Sequence, residues 1–447
     1  MRIVGIELRR TSALLLGGLV LLVVVWLLYW GPPAKGGTAW VRQWSSMAGW
    51  IRYMLVFAWP LAVGGGALLG LRDRRSGVEE LFGSTPRPRS HRLLRTLAAV
   101  AVALGGAYLV VVAVGAVQLP AATTYFHWGW LPVVLVGVLA LVAGAWLGVG
   151  LGRVVPFPLT PPVAAVAALA LMVPVVGPGA EERVPWTLLG PTVPSPRDLY
   201  VRVAGSVNLG QAVWFAGVAL AGVLLCVARR WWSAALPVLV AGAVAVAVLP
   251  AGADGALSPD PVAAEVVCAD GLCLTRVHEG ERAALAGPAR EALRLLGKLP
   301  SPPVEVREVA GRAPTGAETR GAEAADVLWV HLDEVFYFGF SPLAPDLVVG
   351  ALVAGAGTRR CGGLPEEAGL REDTARWVMT AWVTGGFRKP SEVSQWVPEG
   401  ADERAVAAWG ALRAVPVAEQ AVRVQAAREA QAACSGDPLA VLVGEAA

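Results

Sequence analysis

Charge is scarce in this chain, and lysine is scarcer still. Of its 447 residues, 16% are charged, and three of the 37 basic residues are lysine. An ordinary soluble domain has about a quarter of its residues charged. Hydrophobic residues make up 55% of the chain, and the mean hydropathy is +0.57. This composition excludes a typical soluble domain and indicates a protein that lies largely in a membrane.

The signatures of metal, nucleophile and nucleotide chemistry are also missing. The chain has four histidines and no H-E-x-x-H, so the ligand pair and base of a zinc peptidase are lacking. His331-Leu-Asp333-Glu334 comes nearest to a metal site, but a polar strand end is the preferred interpretation. Gly339-Phe-Ser341 lacks the second glycine of a nucleophile elbow. No lysine stands in a G-x-x-x-x-G-K-[S/T] motif. We therefore predict no catalytic residue, no bound cofactor and no metal ligand.

The charges that are present divide the chain in two. Residues 1–251 carry 19 Lys/Arg against 7 Asp/Glu, and residues 252–447 carry 18 against 27. Such asymmetry is typical of two bodies in different environments. We predict a transmembrane domain over 1–251, a linker over 252–261 that is rich in Gly and Pro, and an α+β domain over 262–447. The acidic half has no basic stripe, which argues against nucleic acid as a partner.

Long apolar runs occur only in the first part. A helix needs about 20 apolar residues to cross a bilayer, and the chain is predicted to cross six or seven times. The candidate spans are 11–30, 53–71, 96–118, 131–150, 160–177, 211–228 and 233–251. The fifth is short and contains Pro174, so we expect a broken or tilted helix there. Almost no charge falls inside these runs, which argues against a proton-coupled transporter.

The positions of the cations predict the orientation. With the N-terminus inside the cell, the inner segments hold 13 Lys/Arg and the outer segments hold 6, as the positive-inside rule requires. Seven spans then place residues 262–447 outside. We therefore expect a multi-pass plasma-membrane protein with a cytoplasmic N-terminus and an extracellular C-terminal domain.

Four of the five cysteines lie in the part assigned to the outside. Cys268 and Cys273 flank an Asp-Gly turn between β-branched residues, which favours a hairpin closed by a short disulfide. Cys361 and Cys434 are then left to pair, although four cysteines allow three pairings. A zinc site is the alternative, but the second half of the set has no closely spaced pair. Asp373 is a candidate N-cap for the helix that follows it.

One basic loop interrupts the hydrophobic runs. Residues 71–97 carry seven arginines around the short segment Val78-Glu79-Glu80-Leu81-Phe82, which ends at Gly83 and Pro86. Solvated charge at the inner leaflet accounts for the arginines but not for this segment. A helix so short is marginal in water, so we expect its apolar edge to dock into a groove on another protein.

This loop, together with the basic N-terminus, resembles the type-2 membrane subunits of actinobacterial ABC exporters. In that family the first inner loop combines a basic cluster, G-x-E-E-L, S-T-P and a second basic cluster, and forms the coupling helix that contacts the ATPase. The resemblance covers residues 1–251 and implies that loop 72–95 binds an ATPase dimer through Val78, Glu79, Glu80, Leu81 and Phe82. It also implies an interfacial helix over residues 2–10, a second permease subunit (identical or homologous), and ATP and Mg bound by the ATPase. The added seventh span and the large outer domain depart from the family pattern.

Two other functions remain open from the sequence. The chain could be a membrane-anchored sensor or assembly protein that recognises an extracellular partner and transports nothing. It could also be a membrane enzyme with an outer active site, although no catalytic constellation supports that function.

Overall fold

The computed structural model describes residues 12–31, 43–75, 89–119, 125–177, 184, 186–193, 199–228, 230–311, 320–332, 345–393 and 397–445. The chain divides into two compact units, Met1–Asp260 and Pro261–Ala447. We call them the helical unit and the C-terminal unit and describe each by itself.

Eight α-helices are described in the helical unit. They are α1 (Ala13–Trp30), α2 (Trp44–Tyr53), α3 (Leu55–Arg75), α4 (Arg89–Gln118), α5 (Trp130–Val154), α6 (Thr160–Val176), α7 (Gly205–Val227) and α8 (Ala235–Val248). Short 3-10 turns cover Trp186–Leu189, Trp231–Ala234 and Ala253–Ala256. Strands β1 (Val201–Val203) and β2 (Leu257–Pro259) pair antiparallel.

Six helices of the described part are long and apolar enough to cross a membrane. They correspond to α1, α3, α4, α5, α7 and α8, the last with its preceding turn. The fifth predicted span is helix α6, which has 17 residues and is shorter than the other six. These helices indicate a polytopic helical membrane protein.

Close contacts at glycines establish the helix directions. Gly66 and Gly70 of α3 face Ala145 and Val149 of α5, so the two helices run parallel. Gly150 of α5 faces Gly222 of α7, while Arg52 joins Val133 at the start of α5 to Gln211 near the start of α7. Helix α7 is therefore parallel to α5 as well.

The remaining helices run the opposite way. In α6, Pro161 and Ala165 face Gly64 of α3, whereas Ala168 and Met172 belong to a cluster with residues nearer the start of α3, among them Val56. Helix α6 is thus antiparallel to α3. Contacts of the same kind make α4 antiparallel to α5, α1 parallel to α4, and α8 antiparallel to α7.

This alternation gives the helical unit two ends. Helices α3, α5 and α7 finish at one end, where Arg72, Arg153 and Arg230 lie; we call it the basic end. The same helices begin at the other end, where Trp44, Phe126, Trp128 and Trp130 contact one another; we call it the aromatic end. Although α6 is short, it returns the chain from the basic end to the aromatic end.

The C-terminal unit combines a small sheet with helices. Its strands are β3 (Val266–Ala269), β4 (Leu272–Thr275), β5 (Glu305–Glu308) and β6 (Val327–Val330), in the order β3-β4-β5-β6. The first pair is antiparallel and the other two pairs are parallel. The helices are α9 (Arg282–Leu296), α10 (Pro345–Leu352), α11 (Glu366–Thr384), α12 (Pro390–Val393), α13 (Ala401–Arg413), α14 (Val417–Ala432) and α15 (Pro438–Val443).

The core of this unit lies between the sheet and the helices. Leu274, Val306 and Leu328 of neighbouring strands are buried with Leu296, Val378 and Val424 of helices. The N-cap predicted at Asp373 is wrong, because α11 begins seven residues earlier with Pro365 as its N-cap residue. Asp373 lies inside the helix and pairs with Arg360 at 3.0 Å.

Candidate functional site

The predicted ATPase contact lies outside the described residues. Val78, Glu79, Glu80, Leu81 and Phe82 all fall within 76–88, and Arg2 to Arg10 fall within 1–11. The structure does describe the two helices that flank the loop. Helix α3 ends at Arg75 and helix α4 begins at Arg89, both at the basic end. Any force on this loop therefore acts directly on α3 and α4.

The most unusual described side chain is Arg52, near the end of α2. Its exposed fraction is 0%, a rare state for an arginine. Nε donates to the carbonyl of Pro191 at 2.5 Å, and Nη1 donates to the carbonyl of Val133 at 2.7 Å. Nη2 donates to Oε1 of Gln211 at 2.8 Å. One side chain therefore joins α2, α5, α7 and the segment 188–193.

Gln211 completes this cluster from helix α7. Its amide nitrogen contacts three carbonyl oxygens, those of Leu188 at 2.9 Å, Gly190 at 3.1 Å and Thr192 at 2.8 Å. These acceptors orient the amide so that its oxygen faces Arg52. Gln211 is itself fully buried. We call Arg52, Gln211 and the carbonyls that they bind the arginine lock.

The lock holds a positive charge with neutral partners. The described acceptors of Arg52 are two carbonyls and one amide oxygen, with no carboxylate among them. Burial lowers the pKa of Arg52 to about 10, so the guanidinium remains protonated at neutral pH. The buried Tyr108 hydroxyl, which packs over Gly137 beside Arg52, has no hydrogen-bond partner among the described residues. A buried charge held by dipoles alone is costly.

The sequence pattern did not predict the lock. Arg52 falls among the cations of a predicted outer loop, and the predicted spans are nearly free of charge. The structure buries Arg52 just before α3 and places the polar residues Asn208 and Gln211 in the first turns of α7. The sequence does show an arginine, Arg52, at the edge of one apolar run and a glutamine, Gln211, at the edge of another. Nothing in the sequence indicates that the two meet.

The aromatic end carries a second polar group around His127. The backbone N–H of Gly129 donates to Nδ1 of His127 at 3.0 Å, and Nε2 lies 2.9 Å from the hydroxyl of Ser45. Nδ1 is therefore the acceptor and Nε2 carries the proton. Burial lowers the pKa of His127. Nearby, Tyr125 donates to a carboxylate oxygen of Asp260 at 2.9 Å. These bonds order the segment that enters α5.

In the C-terminal unit the four cysteines stand as two pairs at disulfide distance. The sulfurs of Cys268 and Cys273 are 2.04 Å apart, and those of Cys361 and Cys434 are 2.26 Å apart. Asp270 and Gly271 between the first pair both have positive φ, as a two-residue hairpin turn requires. Among the described residues, no group of three or more His, Cys, Asp and Glu could hold a metal ion. Cys226 in α7 is free.

His331 takes part in a buried ionic network. Arg359 contacts both His331 and Glu323, and Glu323 also pairs with Arg320 at 2.9 Å. Burial, followed by the charge of Arg359, lowers the pKa of His331 to about 4. Asp333, Glu334 and Ser341, which were weighed beside His331 in the sequence, lie outside the described residues.

A second buried group joins strands β4 and β5. The carboxylate of Glu308 accepts from the N–H of Thr275 at 2.6 Å and from its hydroxyl at 2.8 Å, and it also contacts Nδ1 of His278. Thr275 and Glu308 both approach the same histidine nitrogen. In a nucleophile–histidine–acid triad the hydroxyl and the acid contact opposite ring nitrogens. The group therefore fits a structural role.

No protein-family model matches the chain, and no curated protein or solved structure is similar to it.

Proposed function

We propose that this protein is the membrane subunit of an ATP-driven ABC exporter. In this proposal a separate ATPase dimer binds ATP and Mg and contacts the coupling loop, and a second permease subunit completes the pathway. The predicted loop bounds, 72–95, include the last residues of α3 and the first residues of α4. The observation that supports the proposal best is the position of the two flanking helix ends. Helix α3 ends and α4 begins at the basic end, where α5 and α7 also end, and the positive-inside rule assigns this end to the cytoplasm.

The helical unit offers a route for mechanical coupling. Helix α3 has 21 residues and so a length of about 32 Å. It begins at Leu55, three residues after Arg52, and ends at Arg75, where the coupling segment follows. Its glycines touch the backbone of α5, and α5 touches α7 in the same way. Closure of the ATPase would push α3 and, through it, the helices that the arginine lock holds at the aromatic end.

The arginine lock would then hold the transport pathway closed at the aromatic end, which the proposal assigns to the outer side. When α3 moves, Arg52 must leave the carbonyls of Val133 and Pro191 or carry α5 with it. Because its partners are neutral, breaking the lock separates no ion pair. An outward-facing state with the lock open is therefore accessible to a protein driven by ATP.

The C-terminal unit would be an α+β domain on the outer side. Its two cysteine pairs support this placement, because disulfides persist in oxidising compartments. There it would cover the exit or bind an extracellular partner.

Aspartate substitutions in the coupling loop test the proposal. In Leu81→Asp/Phe82→Asp, the apolar edge that docks on the ATPase would be lost, and we expect the ATPase to disappear from the protein purified out of its own membrane. The control is Phe157→Asp, which changes an exposed residue at the same end and should leave the complex intact. If the unmodified protein brings down no ATPase, or the double variant brings down as much, the export function is wrong.

A further inference from the structure

The two cysteine pairs differ in the charged groups that lie beside the more buried sulfur of each pair. Cys361 is 5% exposed and Cys434 is half-buried. Both line a cavity of about 130 Å³, whose other walls include Arg371, Ser435 and Asp437. The pair thus joins a buried cysteine to a more exposed one, and both border open space.

The buried sulfur is surrounded by hydrogen-bond donors. Nη2 of Arg320 lies 3.6 Å from Sγ of Cys361, and the amide nitrogen of Gln431 lies 3.5 Å from it. Arg320 also donates to the carbonyls of Gln431 and Ala432, which hold the guanidinium in place. The Gln431 nitrogen also donates to the carbonyl of Arg359 at 3.1 Å and to Glu372. The Arg320 guanidinium is therefore the main group that would stabilise negative charge on Cys361 if the disulfide opened.

Two carboxylates near Cys361 would oppose negative charge on its sulfur, but both bind other groups. The Glu372 carboxylate accepts from the backbone N–H of Cys361 at 2.9 Å and from the Gln431 amide. Glu323 is paired with both Arg320 and Arg359. The carbonyl of Gln431, 3.4 Å from Sγ of Cys361, is an acceptor for the thiol once it is protonated.

The Cys268–Cys273 pair has the opposite electrostatics. Cys268 is exposed and Cys273 is 1% exposed. The buried sulfur lies 3.9 Å from one carboxylate oxygen of Glu305, whose other oxygen pairs with Arg307 at 2.7 Å. If an external thiol attacked Cys268, the leaving thiolate on Cys273 would face a carboxylate, with the cation of Arg307 on the far side of it.

We propose that Cys361–Cys434 is an exchangeable disulfide that reacts with an external dithiol, whereas Cys268–Cys273 is a permanent link. A thiolate of the dithiol attacks Sγ of Cys434, the bond between Cys434 and Cys361 breaks, and its electron pair passes to Cys361. The second thiol of the dithiol then attacks the mixed disulfide and releases Cys434. The dithiol is oxidised to a disulfide, and the protein pair is reduced by two electrons.

The direction of attack follows from thiol chemistry. A thiol whose anion is stabilised leaves faster, and attack requires an accessible sulfur. Cys434 meets the second requirement and Cys361 meets the first. The exchange takes place within the C-terminal unit and does not depend on the proposed export function.

Peptide-resolved alkylation of the full chain in detergent tests the proposal. The folded protein is exposed to dithiothreitol for increasing times, quenched with a maleimide and analysed by mass spectrometry. We expect Cys361 and Cys434 to become alkylated at least tenfold faster than Cys268 and Cys273. With glutathione alone, the adduct is expected on Cys434. Faster opening of Cys268–Cys273, an adduct on Cys361, or no opening of Cys361–Cys434 before the protein unfolds would overturn the proposal.

Two variants separate the electrostatic cause from simple accessibility. Glu305→Gln removes the charge beside Cys273 and should accelerate reduction of Cys268–Cys273 several-fold without changing the other pair. Cys434→Ser leaves Cys361 as a thiol, and the pH dependence of its alkylation rate gives its pKa. We expect a value below about 8.5, the usual pKa of a free cysteine. A higher value, or a Glu305→Gln rate equal to that of the unmodified protein, would contradict the electrostatic cause.

Discussion

At the scale of the residue, Arg52 is the group on which the arrangement of the helical unit depends most. Its side chain is fully buried and satisfies backbone carbonyls from two segments that are far apart in sequence. Hydropathy alone assigns such an arginine to a loop, because it treats each charged residue as solvated. The bonds that make burial tolerable come from Val133, Pro191 and Gln211, and no local pattern shows that these residues converge.

Replacing Arg52 should destabilise the helical unit. In Arg52→Met the carbonyl of Pro191 and the amide oxygen of Gln211 lose their donor, and each buried group left unpaired costs about 1–3 kcal/mol. The free cysteine Cys226 lies in α7, so heating with a fluorogenic maleimide reports when this unit opens. We expect labelling at a lower temperature than in the unmodified protein.

The control for this measurement is Arg72→Met, which changes an exposed arginine of α3 at the basic end. It should leave the labelling temperature nearly unchanged. Equal temperatures for the Arg52 and Arg72 variants would mean that the lock contributes nothing to stability.

His331 should make the C-terminal unit sensitive to acid. The guanidinium of Arg359 contacts Nε2 and must donate to it, so this nitrogen carries no proton in the folded state. The folded pKa, about 4, lies below the usual value of about 6.5. Because the unfolded chain binds the proton first as pH falls, stability is lost between pH 6.5 and 4. It is retained in full above pH 6.5.

Hydrogen exchange of peptides from 320–332 in the full chain checks this, after correction for the intrinsic effect of pH. We expect protection to fall from pH 6.5 to pH 4.5. In His331→Gln, which can accept from Arg359 without titrating, the fall should be smaller. The same loss of protection in both proteins would exclude His331 as the cause.

At the scale of the element, the sequence predicted the bounds of helices that consist of one long apolar run. It predicted poorly the helices that contain buried polar residues, whose position depends on packing. Spans α1 and α5 lie close to their predicted bounds. Helix α7 begins at Gly205, six residues before the predicted start, because an apolar rule does not detect first turns that contain the buried polar residues Asn208 and Gln211. Helix α2 was predicted as loop, since the apolar rule does not detect a 10-residue helix with Ser45, Ser46 and Arg52.

Glycine contacts hold α3 and α5 together. A Cβ on Gly148 would overlap the carbonyl of Val63, and one on Gly66 would overlap the carbonyl of Ala145. Close backbone approach of this kind drives helix association in membranes. We therefore expect Gly148→Ala to push the helices apart and lower the Cys226 labelling temperature.

Gly106→Ala is the matched control, because Gly106 lies in α4 and a Cβ added there would meet nothing within 4 Å. Alanine is a better helix former than glycine by about 1 kcal/mol, so this variant should be neutral or slightly more stable. If both glycine variants change the temperature alike, the contact between α3 and α5 is not the reason.

At the scale of the whole molecule, the number of crossings decides on which side of the membrane the chain leaves the helical unit. Counting residues gives six long helices and leaves α6 undecided. The directions of its neighbours add an observation that length does not provide: α5 and α7 are parallel, and α6 runs antiparallel between them. Pro161 and Pro162, with Pro174 near its end, make this helix short, and the sequence contains no information about the directions of its neighbours.

Single cysteines measure the crossing number in intact cells. Exposed positions at the aromatic end, Trp128 and Asp254, and an exposed position at the basic end, Phe157, are replaced by cysteine one at a time. With seven crossings, an impermeant maleimide should label Trp128→Cys and Asp254→Cys from outside. It should label Phe157→Cys only after the membrane is opened.

Labelling of Trp128→Cys but not Asp254→Cys would mean that six helices cross and that α6 does not. Outside labelling of Phe157→Cys would reverse the orientation and place the coupling loop outside, away from any ATPase.

The small ribbon of β1 and β2 has a mechanical consequence. It ties the segment before α7 to the segment after α8, with Val201 opposite Pro259. The N–H of Asp260 donates to the carbonyl of Tyr200, and its carboxylate holds Tyr125. A pulling force on residue 261 would therefore act first on the β1–β2 ribbon and on Tyr125, which precedes α5. It would reach α8 only after these contacts had broken. Because β1 and β2 join the start of α7 to the end of α8, a force from the C-terminal unit would not stretch these two helices before then.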